Sequence, residues 1–507
     1  MQHSVPRGTE RSTRAPSERA WIWLGVTCLI ALALRLVPVL VFPSMNQGDE
    51  IFQSIEQAHR AIFGSGIIPW EFRYGARSWL VPGALAGLMW TAERVGDGPT
   101  YYLPLIYGTL ATLSVACVVC GFSWARRMWG TTAGLVAASA IAVSCDAIYF
   151  GARATSEGIG AHLLIVATYL AEPGYLVRSR WRLFAAGLLL GLAFAVRFHL
   201  GPAIGVVGLW TSARGFRERL PPLIAGAAIT TGLAGLLDAV TWSYPFESAW
   251  RNFEFNLTYS GSNYFGEAPW YKYFYFFPYY WAGGVAVLAL LSFVGGIRKP
   301  ILLAAAATIF ITHQPLAHKE FRLIYPAIII VVVLAALGTA EIVAWTGRNL
   351  KLGGMRDSSA RLALAAAAIC LWIAFSAGES LSQGYATRWS NASDELRASL
   401  AVARMPSACG VALYGVPLWQ SGGYGYMHVP LRLYFPKTVE ELKRDEAGFN
   451  TILYAPGPLP EGLNFTRSRC FNHVCLAERS GGCEPVPTIS TPDTPPMAER
   501  FEPELRP

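Results

Sequence analysis

Long apolar runs recur along the whole chain, at residues 20–42, 101–123, 131–150, 158–171, 183–200, 202–211, 221–242, 279–296, 301–312, 323–345 and 362–377. A bilayer core of about 30 Å takes about 20 helical residues to cross. Backbone inside lipid must satisfy its own N–H and C=O groups, so such runs form helices. They predict a polytopic α-helical membrane protein with about 11 transmembrane helices. A further run at 79–95 would break the alternation of sides and reads as re-entrant or interfacial. Composition agrees: 53% hydrophobic residues against 15% charged argue against a soluble enzyme, a disordered chain or a disulfide scaffold.

Lys and Arg outnumber Asp and Glu by 41 to 33, for a formal charge of +8. Their placement points to a bilayer and not to nucleic acid. Arg7, Arg11, Arg14 and Arg19 make residues 1–19 a basic, cytosolic tail ahead of a retained anchor. Arg126 and Arg127, Arg178 to Arg182, Arg214 to Arg219, Arg298 with Lys299, and Arg348 to Arg361 fill alternate short connectors. Positive-inside placement then sends connectors 43–78, 243–278 and 313–322, with everything after residue 378, to the opposite side.

The transmembrane domain is expected at 20–379 and a small C-terminal α/β extracytoplasmic domain at 380–484. The latter shows helical patterns at 394–404 and 438–445 and strand patterns at 410–414 and 451–454. Its Cys409, Cys470, Cys475 and Cys483 suit disulfides in an oxidising compartment, in a connectivity that spacing leaves open. The other five cysteines lie in apolar runs as packing residues. Residues 485–507, rich in Pro, Thr and Glu, read as a disordered tail.

Four groups of polar residues admit two readings each. Asp49 and Glu50 precede a helical pattern of Ile51, Ile55, Ala58 and Ile62, either as an N-terminal pair favoured by the dipole or as a general base at a cavity mouth. His313, His318, Lys319, Glu320 and Arg322 crowd one short connector, as interfacial anchors or as a phosphate site. A metal site from His313 and His318 is disfavoured, because five residues is not the i,i+4 spacing of one helical face. Arg35 and Arg197, flanked by apolar residues, either snorkel or contact phosphate or sugar. Asp238, Asn256 and Trp270 belong to an aromatic and amide-rich connector, a membrane belt or a sugar platform. His59 and His162 read as structural.

Three ordered blocks resemble the family 22 glycosyltransferases, GT-C class mannosyltransferases of lipid-linked oligosaccharide and GPI-anchor assembly. The first is GDEIFQSIEQAHR, extended by Trp70, Glu71, Arg73, Gly75, Arg77 and Ser78. The second is Asp238, Asn256, Phe265, Gly266, Pro269 and Trp270. The third is HKEFR at 318–322. Departures are Gly48 where Pro is usual, Phe321 for an acidic residue, and RATSE at 153–157. The segment LYGVPLWQSGGYGYMH resembles bacterial members.

The resemblance implies a GT-C fold and transfer of a sugar, with mannose expected, from a polyprenyl-phosphate donor to a hydroxyl of a glycan or glycolipid acceptor, with inversion. It implies Asp49 as base, assisted by Glu50. His318, Lys319, Arg322 and Arg35 would hold the donor phosphate, and Glu320, Arg73, Arg77, Asp238, Asn256, Trp270 and Arg197 the substrates. No metal or cofactor is required, and the site faces the outside of a bacterial inner membrane. The alternatives are a GT-C transferase of another sugar, or a lipid-linked sugar flippase or transporter. Mid-membrane charge pairs would favour transport, and carboxylates gathered at one face favour transfer.

Overall fold

The computed structural model describes residues 18–172, 180–213, 215–349, 357–428, 432–484 and 486. Outside them lie the basic tail except residues 18 and 19, the expected disordered tail except 486, and Arg178, Arg214, Lys351 and Arg356.

Every apolar run becomes helix. Among the described residues six helices are long and apolar enough to cross a membrane: Arg19–Leu40, Pro99–Trp129, Phe216–Thr241, Lys272–Arg298, Phe321–Asn349 and Ser359–Ser380. The other five runs give shorter helices: Thr131–Val143, Ser156–Ala171, Arg180–Val196, Gly201–Ser212 and Pro300–His313. Two of these runs are shortened by breaks that hydropathy does not register. The chain turns extended at Ser144, ψ 131°, before resuming as Cys145–Phe150, and Arg197, φ −149°, ends Arg180–Val196. The 79–95 run contributes Leu80–Ala92.

The bundle has two polar ends. At one, Trp124 Nε1 donates to Glu172 at 2.5 Å, Lys299 pairs with Glu172, Arg219 donates to the carbonyls of Ala171 and Thr211 at 2.8 and 2.7 Å, and Arg298 donates to Glu341 at 2.7 Å. At the other, Ser78 meets Asp238 at 3.0 Å, Trp281 Nε1 meets Asp146 at 2.9 Å, and Arg388 donates to Tyr280 at 2.8 Å. Between the ends, two helix pairs approach so closely that only glycine fits. A Cβ on Gly295 would lie 2.0 Å from Leu334 O, and one on Gly187 2.1 Å from Leu223 O. Small residues let spans pack backbone to backbone where lipid provides no hydrophobic drive.

After Ser380 the chain forms a five-stranded sheet of β1 (Val411–Tyr414), β2 (Leu433–Tyr434), β3 (Thr451–Tyr454), β4 (Thr466–Phe471) and β5 (Val474–Glu478), in the order β2-β1-β3-β5-β4. β1 is parallel to β2 and β3, and β5 is antiparallel to β3 and β4. Disulfides join Cys409 to Cys483 and Cys470 to Cys475, resolving the pairing that spacing left open. This segment shares its core with the bundle's second polar end: buried Leu396, Leu413, Leu418 and Tyr426 cluster with Val39, Ile51, Phe52 and Tyr102.

Candidate active site

The first helix ends at Leu40, and residues 43–50 turn across the bundle end, held from two sides. From below, Arg153 donates to Ser44 O at 2.9 Å and pairs with Glu50 at 3.1 Å. From above, Asn391 Nδ2 donates to Met45 O at 2.8 Å and Met45 N donates back to Asn391 O at 3.0 Å. Gly48 lies against the Trp419 backbone, where a Cβ would come within 2.8 Å of the carbonyl oxygen. A π-helical turn, Ile51–Ile55, then leads into Glu56–Phe63. Glu56 is fully buried and accepts from Ile67 N at 2.7 Å and Gly425 N at 2.8 Å, tying this connector to the C-terminal segment.

Asp49 emerges from this braced turn into a cavity of about 650 Å³, a volume suited to a small ligand or headgroup. Its wall is assembled from all three outer connectors, the starts or ends of several helices, and Asn391, Trp419 and Gln420 of the C-terminal segment. Arg322 Nη2 reaches Asp49 Oδ2 at 2.6 Å. Arg322 also pairs with Glu320, whose other oxygen bonds His318 Nε2 at 3.0 Å. The Glu320 hydrogen bond raises the His318 pKa against burial. Burial acts to raise Glu320, but Arg322 and His318 outweigh it and hold the carboxyl well below its usual range. Across the cavity Arg197 pairs with Glu157 at 2.8 Å. The buried Nε atoms of Arg197 and of Arg77, both on the wall, have no hydrogen-bond partner among the described residues.

The predicted residues therefore divide. Asp49, His318, Glu320, Arg322, Arg77, Arg197 and Asn256 line one cavity. Glu50 borders it, but its carboxylate, 2% exposed, is committed to Arg153 and to Asn46 N at 2.9 Å, so it braces the turn. Arg35 is not on the wall: it is wholly buried and donates to Ser114 Oγ at 2.9 Å and to the carbonyls of Ala31 and Ala142 at 2.9 and 3.2 Å. Lys319 turns away, its Nζ donating to Gln314 O at 2.7 Å and to Leu316 O. Asp238 takes Ser78 at 3.0 Å and both Ser248 N and Oγ, beside a smaller crevice. Arg73 is exposed, and Trp270 is 68% exposed, away from the cavity.

Sequence reading passed over Glu71, Gln53 and Glu157. Glu71 is 9% exposed on the wall and accepts from Gln53 Nε2 at 2.7 Å. Burial first, and the charge of Asp49 second, push its carboxyl up to about 7. A signal was there for two of them: Gln53 and Glu71 sit in the block that carries Asp49 and its extension, whereas Glu157 lies in RATSE, a departure from the family pattern.

Fold and site define a polytopic helical membrane protein with a charge-lined cavity at one end of its bundle. Residues 26–388 match the Alg9-like mannosyltransferase family, and the chain belongs to it. Mannosyltransferase APTG1 of Arabidopsis thaliana is 24% identical over 336 residues, 62% of this chain and 58% of that one. GPI alpha-1,2-mannosyltransferase 3 of Danio rerio is 24% identical over 345 residues, 64% and 60%. GPI mannosyltransferase 3 of Drosophila melanogaster is 27% identical over 322 residues, 59% and 53%. The matched region thus spans less than two thirds of these relatives. Among solved structures, ArnT from Cupriavidus metallidurans bound to undecaprenyl phosphate aligns with a TM-score of 0.58 at 13% identity, covering 94% of this chain and 100% of that one. That likeness shows the fold, the GT-C architecture expected from the sequence.

Proposed function

We propose that this chain is an integral membrane mannosyltransferase, moving mannose from a polyprenyl-phosphate donor to a hydroxyl of a glycan or glycolipid acceptor, with inversion at the anomeric carbon. The observation that carries the reading is the contact between Asp49 and Arg322 on the wall of one cavity. Asp49 takes the hydroxyl proton as the oxygen attacks. The bond from the anomeric carbon to the phosphate oxygen breaks, and the phosphate keeps the electron pair. Arg322, His318, Arg77 and Arg197 stabilise the charge that accumulates there. Four cationic or protonatable groups around the leaving group make a cofactor unnecessary to this mechanism.

We read eleven crossings, with the cavity on the extracytoplasmic face of a bacterial inner membrane. Supporting this, Arg219, Arg298 and Lys299 of the basic connectors lie at the bundle end opposite the cavity, and the two disulfides belong to the segment that caps the cavity.

The test is an assay of purified full-length protein against a panel of polyprenyl-phosphate sugars in membranes that supply acceptors. Wild type transfers mannose, and Asp49→Asn expresses and folds but does not. Turnover retained by Asp49→Asn ends the base assignment. Movement of the donor across vesicles without any transfer makes the protein a carrier.

A further inference from the structure

The C-terminal segment lends the cavity wall residues of a different chemistry from the rest. Strand β1 lies between β2 and β3, parallel to both, so the chain leaves it on one side for β2 and comes back on the other for β3. Ligands of open α/β sheets sit at the carboxyl ends of strands where the order reverses in this way. Here that end of β1 feeds a short turn, Leu418–Gln420, that reaches the membrane domain's cavity. Its flanks are fixed: Leu418 and Ser421 are buried, Ser421 Oγ donates to Leu418 O at 2.7 Å, and Gln420 N donates to Pro417 O at 3.0 Å. Trp419 and Gln420 between them stay partly exposed, on the cavity wall.

The turn lands on the segment that presents Asp49. The Trp419 backbone abuts Gly48, and its ring meets Phe52 edge to face, with centroids 4.8 Å apart and planes at 77°. Gly48 directly precedes Asp49 and Phe52 follows it by about one helical turn. Neither the indole N–H nor the Gln420 amide is spent on a partner among the described residues. They offer N–H donors, a carbonyl acceptor and an aromatic face, without a charge. Asn391, which the same segment adds to the wall, is neutral too, whereas the guanidinium groups of Arg77, Arg197 and Arg322 all come from the membrane domain.

A departing phosphate calls for those cations. A hydroxyl that gives its proton to Asp49 calls for groups beside the base that hold a sugar without attracting phosphate. Resting on the transferase reading above, we propose that Trp419 and Gln420 form the acceptor subsite, and that the group they hold is a neutral sugar ring. The indole lies against a face of the ring, the Gln420 amide bonds its hydroxyls, and the hydroxyl to be glycosylated is left over Asp49. The membrane domain then selects the donor and the C-terminal segment the acceptor.

Binding and turnover on the full-length protein test this separately. Protein labelled with fluorotryptophan and purified in detergent gives a fluorine resonance for each indole, and the signal missing from Trp419→Phe belongs to residue 419. Octyl mannoside, octyl glucoside and octyl galactoside are the neutral acceptor probes, and a polyprenyl phosphate is the donor-side probe. At least one glycoside is expected to shift the Trp419 resonance, and the polyprenyl phosphate to leave it in place. Gln420→Ala, which has no partner to lose and so spares the packing, weakens that binding about threefold or more. In transfer from a polyprenyl-phosphate mannose, Trp419→Ala raises the KM for the glycoside about tenfold and Gln420→Ala about threefold, while the KM for donor stays within about twofold. Trp419→Phe, which keeps an aromatic face, recovers most of the loss.

The subsite is refuted if no glycoside moves the Trp419 resonance, if the polyprenyl phosphate moves it instead, or if the variants raise both KM values alike. A wild type that binds the glycoside at Trp419 but transfers mannose to nothing overturns the transferase reading and leaves the sugar subsite standing.

Discussion

Arg322 Nη2 and Asp49 Oδ2 stand 2.6 Å apart although 273 residues separate them in sequence. The same guanidinium holds Glu320, so one side chain links the third outer connector to the turn after the first helix. Arg322→Ala is expected to lower turnover about 100-fold or more, the scale seen when one preorganised donor is removed from a developing charge. Arg322→Lys should recover only part, since a single ammonium lacks the fork that serves two carboxylates. Initial rates at saturating donor decide it: a loss under about threefold in Arg322→Ala leaves the contact without a catalytic role.

Glu50 is adjacent to Asp49 yet belongs to the fold. Its pair with Arg153 is 0% and 2% exposed, and removing one partner of a buried pair strands the other, at about 3–5 kcal/mol. Arg153→Ala should therefore lower the thermal unfolding midpoint in detergent and reduce yield. Asp49→Asn, at a side chain 36% exposed, should leave that midpoint near wild type. If both variants unfold alike, the division between brace and base is wrong.

How much of this was readable beforehand follows from what hydropathy and motif order encode. Both register residue type along the chain, so the apolar runs, the outer connectors and the blocks around Asp49 and Arg322 stood out. Neither registers which atoms a buried polar group spends on its neighbours. Arg35 reads as an unexplained charge in a span, but it is consumed by Ser114 and two helix carbonyls. Lys319 sits within HKEFR, but its ammonium closes the carbonyls of Gln314 and Leu316. Strand β4, largely exposed and carrying Arg467 and Arg469, lacks the alternation that marks a half-buried strand, so it escaped notice.

Those commitments separate the cations of the third connector from those across the cavity. Lys319→Ala should change turnover by less than about tenfold, or 1.4 kcal/mol, because its ammonium faces backbone. Arg77→Ala and Arg197→Ala, whose Nε atoms lack partners among the described residues, should raise the KM for donor more than they lower kcat. Donor titrations on the three variants give the comparison. A Lys319→Ala effect on donor KM matching that of Arg77→Ala would restore Lys319 to the phosphate site.

The His318 to Glu320 contact carries a pH dependence with a fixed sign. The His318 pKa is raised in the folded protein, first by its hydrogen bond to Glu320. A group raised above its unfolded value adds stability that is complete below the unfolded histidine value, about 6.5, and is lost as pH climbs through the folded one. Hydrogen exchange of amides in residues 313–322 should then quicken as pH rises through that window, beyond the intrinsic increase with base. His318→Gln should flatten the excess; an identical excess in that variant assigns the effect to another group.

Gly48 stands where the resemblance expects proline, and Trp419 supplies the reason. A Cβ at this position would meet Trp419 O at 2.8 Å and Trp419 Cβ at 3.2 Å, so either the turn that carries Asp49 or the C-terminal segment must move. The first obstacle is a backbone atom, which truncating the tryptophan does not remove. Gly48→Ala is accordingly expected to cost about 1–3 kcal/mol as an overpacked contact. Displacing Asp49 by about 1 Å from Arg322 should lower turnover about 100-fold. Gly48→Ala combined with Trp419→Ala should remain impaired, since alanine at 419 keeps both the carbonyl oxygen and the Cβ that the new methyl meets. Unfolding midpoints and rates on the single and double variants provide the check. Full rescue by Trp419→Ala would mean that the indole, and not the backbone of the C-terminal segment, sets the position of the base.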